Sequence, residues 1–331
     1  MAVEVEQLLD AWCRTHLRSA VAHQFFGVQR ISSVHGVRLD DGREVALKVR
    51  GAEPRQAACT AVQARLWEHG LPCPRPLAGP APLSPTPVDI ASEDGPMDAA
   101  TMAVNAESWE GHGVASLGSG GAASWGRLAA GIVAAAPSAN EVGTLAPQVP
   151  WLRWDHGDPV RAWPPPASHR WDPHRVDVRI SPVIHDLVRR ARSRLLRSDA
   201  ATLPVVVGHG DLEAQNCRWV GGDGEPVHLV VHDWDSVVAT SEAVIAGNTA
   251  LSFASVADDA IATIEQTEQA LAAYAEVRDR PWSSLEYEVA WATGAWVAAY
   301  NAAFEHLKDG PGPVTAAAID QADERLARAG A

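Results

Sequence analysis

The chain is poor in cysteine and in positive charge, and it lacks any long apolar run. Its four cysteines, Cys13, Cys59, Cys73 and Cys217, form no CxxC pair. That spacing excludes a disulfide scaffold and a paired-cysteine zinc site, and a reduced, cytoplasmic protein is expected. Lys and Arg number 27 against 41 Asp and Glu, a formal charge of −14. Nucleic acid is thereby excluded as a main partner, because phosphate neutralisation needs clustered cations. No segment reaches the roughly 18 apolar residues of a membrane span. The opening residues, Met1 to Glu6, lack the basic and apolar regions of a secretory leader. A soluble protein without a membrane partner is the expectation. Tyr (3) and Phe (4) are scarce, so the aromatic content rests on 13 tryptophans.

With 331 residues, 47% apolar and 21% charged, the chain suits two unequal globular domains. Residues 4–19 carry Val5, Leu8, Leu9, Trp12 and Leu17 at near-helical spacing. A β-rich stretch follows, with a hairpin at Asp40-Asp41-Gly42 leading into Val45-Ala46-Leu47-Lys48-Val49. The spacing predicts a helix over 55–69, stopped by Gly70 and the prolines after it. Pro80 to Pro87 reads as linker, Thr101 to Val104 as a short strand, and Asn105 to Gly113 as a polar connection. Helices are expected over 124–136, 182–198 and 243–329. Residues 141–175 follow neither period and form an irregular insertion. Short strands are expected at Val205–Gly208, Cys217–Val220 and Val227–Val231, the last two around the Gly221–Gly224 turn.

Polar residues concentrate beside those last strands. The segment reads His209-Gly210-Asp211-Leu212-Glu213-Ala214-Gln215-Asn216, and His232-Asp233-Trp234-Asp235 ends the downstream strand. Asp211 directly follows a buried strand, so a rigid scaffold holds its carboxylate. Pairing across the glycine-rich turn brings Asn216 beside Asp233. Carboxylates and an amide oxygen at one hairpin end would repel one another without a cation between them, and oxygen-only ligation suits Mg²⁺. The alternative is a metal-free loop whose carboxylates face solvent.

His209-Gly210-Asp211 with Asn216, followed by Asp233-Trp234-Asp235, resembles the aminoglycoside phosphotransferase and choline kinase superfamily of small-molecule kinases. The resemblance implies an α+β fold like that of the protein kinases. A small β-rich nucleotide-binding lobe over 1–105 would precede a larger, mostly helical lobe over 106–331. It implies ATP (or GTP) and Mg²⁺, with Asp211 as the base that takes the acceptor hydroxyl's proton. Asn216 and Asp233 would ligate the metal, and Lys48 would hold the nucleotide phosphates. Asp235 and His209 complete the motifs.

The chain departs from that pattern in two places. Residues 54–67 contain no acidic residue to pair with Lys48. Gln63 could bond it through the amide oxygen, or could face solvent. No Gly-x-Gly-x-x-Gly covers the phosphates. Ser32 and Ser33 could offer donors there, or could simply form a hairpin turn. The nucleotide base is expected against backbone groups near Asn105 to Glu107.

The acceptor is expected to be a small hydroxyl-bearing molecule, with a cationic amino sugar, aminoglycoside or amino alcohol as the type. Glu213 could approach it. Trp151, Trp154, Trp163 and Trp171 in the insertion could stack on an amino sugar, though burying an irregular loop is the favoured account of them. Trp291, Trp296 and Tyr300 read as a core stripe. The missing helical glutamate and glycine-rich loop motivate a second reading, a kinase-like nucleotide- or ligand-binding protein with weak or no catalysis. A monomer and a dimer are equally compatible with the sequence.

Overall fold

Alternation along Val45-Ala46-Leu47-Lys48-Val49 is what builds the first part of the molecule. In the structure, a computed structural model, residues 5–29, 32–90, 97–116, 121–158, 162–163, 181–220, 228–255 and 261–331 are described. The chain divides into two compact units: Met1–His112 with Val142–Ala146, and Gly113–Glu141 with Pro147–Ala331. A division after residue 105 would cut a strand in the middle.

The first unit opens with helix α1 (Val5–His16), then β1 (Val21–Gln29), β2 (Ser33–Leu39) and β3 (Glu44–Gly51). Helix α2 (Gln56–Glu68), β4 (Pro76–Pro82), the two-residue pair β5 (Asp89–Ile90) and β6 (Met97–Asp98), and β7 (Met102–Ser108) follow. Five strands form one antiparallel sheet in the order β1-β2-β3-β7-β4. Side chains alternate across such a sheet. Val45, Leu47 and Val49 join Val104 and Ala106 in a buried cluster with Leu9, Trp12 and Cys13 of α1. The opposite face carries Ala46 and Lys48, and α2 is tied to it by Asn105 Nδ2 donating to Thr60 Oγ1 at 2.7 Å.

Two sequence expectations fail here for physical reasons. Pro80 to Pro82 belong to edge strand β4 rather than to a linker. An edge strand leaves one side of its backbone unpaired, so proline's missing N–H costs little there. Asn105 and Glu107 do not leave the strand but continue β7 to Ser108. Their polar side chains are accommodated because the face they occupy is itself polar.

The second unit is mostly helical: α3 (Gly121–Ala135), α4 (Pro182–Leu195), α5 (Glu242–Ser252), α6 (Ile264–Val277), α7 (Ser284–Asp309), α8 (Pro313–Asp320) and α9 (Ala322–Arg328). Buried alanines at 290, 292, 295, 298 and 299 line α7, so neighbouring helices approach closely. At Gly247 of α5 a Cβ would collide with the Ala290 backbone. A Ser283–Glu286 capping box starts α7. Trp291 and Trp296 are fully buried, as a core stripe requires. Among the described residues no helix is long and apolar enough to cross a membrane.

Two small ladders interrupt these helices. Strand β8 (Val205–His209) pairs antiparallel with β11 (Val237–Ser241), and β9 (Cys217–Val220) with β10 (His228–Val231). The turn at Gly221–Gly224 lies outside the described residues.

Candidate active site

The two ladders converge on the motif residues. Cys217 opposes Val231, and His232 N donates to Asn216 O at 2.7 Å, so the chain enters Asp233 directly beside Asn216. His209 opposes Val237, and Gly210 N donates to Ser236 O at 2.8 Å. A Cβ at Gly210 would meet Ser236 O at 2.6 Å, which is why glycine stands before Asp211. Asp233 takes the left-handed conformation (φ 64°, ψ 43°), a strained choice outside glycine that recurs at functional sites. Ser236 Oγ donates to Asp233 Oδ2 at 3.2 Å.

Asp211 is held by Asn216, whose Nδ2 donates both to Asp211 O and to Asp211 Oδ2 at 2.9 Å. Burial pushes the Asp211 carboxyl well above the usual carboxylate range, and the charges of Glu213 and Asp233 push it further the same way. The Asn216 hydrogen bond works in the other direction. Asp211 as a whole keeps some surface open to solvent, so the carboxyl sits in dense surroundings that a small molecule can still reach.

His209 has a different job from its neighbour. Asp211 N donates to His209 Nδ1 at 3.0 Å, which leaves the ring proton on Nε2 to donate to His232 O at 2.9 Å. Both nitrogens are thus committed to joining the two halves of the site, and the 1% exposed ring packs edge-on against Trp234. It is a clip rather than an acid or base. Glu213 precedes the 3-10 turn Ala214–Asn216, and Asp235 lies within the turn Trp234–Ser236.

A support that the motif does not disclose lies behind Gly210. Its carbonyl accepts from Trp151 Nε1 at 2.7 Å and from Asn248 Nδ2 of α5 at 2.9 Å. Trp151 O in turn accepts from Trp296 Nε1 at 2.7 Å. Trp163 is fully buried and packs on Trp296 and Tyr300, and Trp154 on Trp296. The insertion's tryptophans therefore anchor an irregular segment to α7 and brace the Asp211 loop. Trp171 lies outside the described residues.

Asn216 and Asp233 supply an amide and a carboxylate at one place, next to an Asp211 whose neighbours are negative. That donor set fits Mg²⁺, which takes one or two protein carboxylates and completes its shell with water and phosphate oxygens. Among the described residues no group of three or more His, Cys, Asp or Glu could hold a metal.

In the first unit, Lys48 Nζ lies 3.2 Å from Glu107 Oε1, with side chains 11% and 8% exposed. The partner comes from strand β7 and not from α2. Gln63 spends its amide N–H groups on Pro74 O and Glu107 Oε2, both at 2.9 Å, so it holds the glutamate. The acidic residue was sought on the helix, where the sequence has none. It stands instead on the strand that pairs with the lysine's own. Ser33 opposes Val49, on the face away from Lys48, and its Oγ lies 3.3 Å from His35 Nε2. The period-two alternation thus turns its hydroxyl from the lysine, whereas Ser32 lies in the bend before β2. Asn105 to Glu107, where a nucleotide base is expected, lie within β7 between β3 and β4, and the β4 side of that pairing is irregular.

No protein-family profile matches the chain, and no curated protein matches it in sequence. Solved structures do match its fold. A microcompartment-associated aminopropanol kinase aligns with a TM-score of 0.58 at 13% identity, over 97% of this chain and 96% of that one. An amicoumacin kinase in complex with AMP-PNP and Ca²⁺ aligns at 0.56 and 10% identity, over 97% and 94%. A thermostable mutant of an aminoglycoside phosphotransferase aligns at 0.50 and 13%, over 97% and 99%. The fold, an antiparallel five-stranded N-terminal unit followed by a mostly helical one, is that of these small-molecule kinases.

Proposed function

We propose that the protein is an ATP-dependent phosphotransferase, with GTP as a further possible donor, acting on a hydroxyl of a small amine-bearing molecule. The observation that carries this reading is Asp211, fixed by Asn216 through one carboxylate oxygen and through its own backbone carbonyl. Oδ2 is occupied by Asn216, so Oδ1 is the oxygen that accepts the acceptor's proton. The acceptor oxygen then bonds to the γ-phosphorus as the bond from that phosphorus to the β–γ bridging oxygen breaks, and ADP leaves with the electron pair. Asn216 and Asp233 would hold Mg²⁺, which would supply neutralisation of phosphate charge. Lys48, steadied by Glu107, holds the nucleotide phosphates, and Ser32 is the serine left to donate a hydrogen bond to them.

A raised carboxyl affinity for protons suits a general base working near neutrality. The net charge of −14 and the carboxylates of Glu213 and Asp235 favour a cationic acceptor. That an aminopropanol kinase and an aminoglycoside phosphotransferase share the fold supports amino alcohols and amino sugars as first candidates. Four buried cysteines outside any disulfide, with Cys13, Cys73 and Cys217 pushed up to about 12 by burial, suit a reducing cytoplasmic setting.

The test is ADP release with Mg-ATP across a panel of amino alcohols, amino sugars and aminoglycosides. Acceptor-dependent ADP that disappears in Asp211→Ala is expected. ADP release that no acceptor stimulates and that Asp211→Ala leaves unchanged overturns the reading, and would favour the nucleotide-binding alternative.

A further inference from the structure

In this chain the carboxylate that orients Lys48 has moved off the helix, and we propose that Glu107 of β7 is the positioning residue for Lys48, with Gln63 locking Glu107. The inference rests on the phosphotransferase reading for what Lys48 touches, but its geometry lies wholly within the first unit. Lys48 and Asn105 are cross-strand partners in the β3–β7 ladder. Cross-strand partners share a face, and so do residues two apart on one strand. Glu107 therefore stands diagonally across from Lys48, within reach of a long side chain, and the 3.2 Å contact of Nζ with Oε1 closes the pair.

The second glutamate oxygen decides that this pair is built rather than incidental. Oε2 accepts from Gln63 Nε2 at 2.9 Å, and the other amide hydrogen goes to Pro74 O at 2.9 Å. Glu107 and Gln63 are 6% and 5% exposed. A carboxylate so enclosed is tolerated only when paired and hydrogen-bonded. A helical glutamine thus stands one turn of hydrogen bonding away from the lysine, directing a strand carboxylate onto it. Removing acid from α2 and adding it to β7 conserves the charge pair while changing the element that controls it. Thr60 of α2 bonding Asn105 fixes the same helix to the same strand one step away, so the position of α2 sets the position of Lys48 through Glu107.

Calorimetric binding of Mg-ATP and of adenosine separates positioning from mere structural support. Lys48 acts on phosphates, so Glu107→Gln is expected to weaken Mg-ATP binding on the order of 10- to 100-fold while adenosine binding holds. In a Lys48→Met background the same Glu107→Gln change is expected to have no further effect on Mg-ATP, because it acts through the absent amine. Gln63→Met, close in shape, should shift Mg-ATP binding in the same direction by less, and it stands in should Glu107→Gln fail to fold. Equal losses for ATP and adenosine, or additive losses in the double variant, overturn the proposal. So does Glu107→Gln binding like the wild type while the wild type still prefers ATP to adenosine, which leaves the phosphotransferase reading intact. A wild-type chain that binds neither compound removes that reading, and this inference with it.

Discussion

The lysine cluster of the first unit and the aspartate cluster of the second are both assembled from enclosed polar groups, yet they balance charge in opposite ways. Around Lys48 the ammonium meets Glu107 at 3.2 Å, and the remaining glutamate oxygen is taken up by Gln63. Around Asp211 the charges acting on the carboxyl come from Glu213 and Asp233, both negative, and an amide hydrogen bond only partly offsets them. The first cluster is complete as it stands and is pre-organised. In the second, the charges of Glu213 and Asp233 both raise the Asp211 carboxyl, an effect that a divalent cation would offset. The two clusters thus differ in the sign of what surrounds the charged group: an opposite charge at Lys48 and like charges at Asp211.

The sharpest way to break this comparison is to remove one charge from each cluster. Asp211→Asn is expected to lower turnover by about 10²–10⁴-fold, the usual worth of a general base, measured as acceptor-dependent ADP release. Lys48→Met should reduce stability by about 3 kcal/mol, because it strands the Glu107 carboxylate in a buried place. Denaturant unfolding measures that loss, and much of it should return in Lys48→Met with Glu107→Gln. Asp211→Asn should do the reverse and raise Tm by about 2–4 °C, the equivalent of ~1 kcal/mol, since it relieves repulsion.

The pH dependence of that gain follows from linkage. The Asp211 carboxyl is raised above its ordinary 3.8 in the folded protein. Below 3.8 both states are protonated, and the wild type loses nothing to the variant. As pH climbs from 3.8 towards the raised value, the unfolded chain gives up its proton while the folded one keeps it, so stability falls until the folded carboxyl ionises as well. The Tm advantage of Asp211→Asn should therefore be smallest below pH 3.8 and grow as pH rises above it. Equal Tm effects of the two substitutions would end the contrast. The smallest expected effect is Trp151→Phe, which removes one of two donors from Gly210 O. It should cost about 1 kcal/mol of stability and a few-fold in kcat, with little change in nucleotide KM.

Much of the second cluster is legible in the amino acids because its parts are local. Asp211 and Asn216 lie on one short loop, and the antiparallel pairing of β9 with β10 brings Asp233 back beside them. The first cluster was legible only to Lys48. Its glutamate lies 44 residues from Gln63 and sits inside a segment whose polar residues read as a connection. Val104-Asn105-Ala106-Glu107 does alternate as a half-buried strand should, but its polar residues also suit a connection. Strand β11 was missed for a related reason: Val237–Ser241 is five residues long and abuts a helix. The brace of Trp151 on Gly210 spans 59 residues and leaves no trace in spacing.

What the amino-acid order determined by itself is the set of elements and the chemistry of the Asp211 loop. Local propensities, turn residues and short-range hydrogen bonds are written in consecutive positions. What only the tertiary structure decided is which distant groups meet: Glu107 with Lys48, Gln63 with Glu107, Trp151 and Asn248 with Gly210. Those meetings depend on strand order and register, which bring residues far apart in the chain within a few ångströms of one another. A one-residue change of register would turn Glu107 to the other face of the sheet and leave Lys48 without its carboxylate.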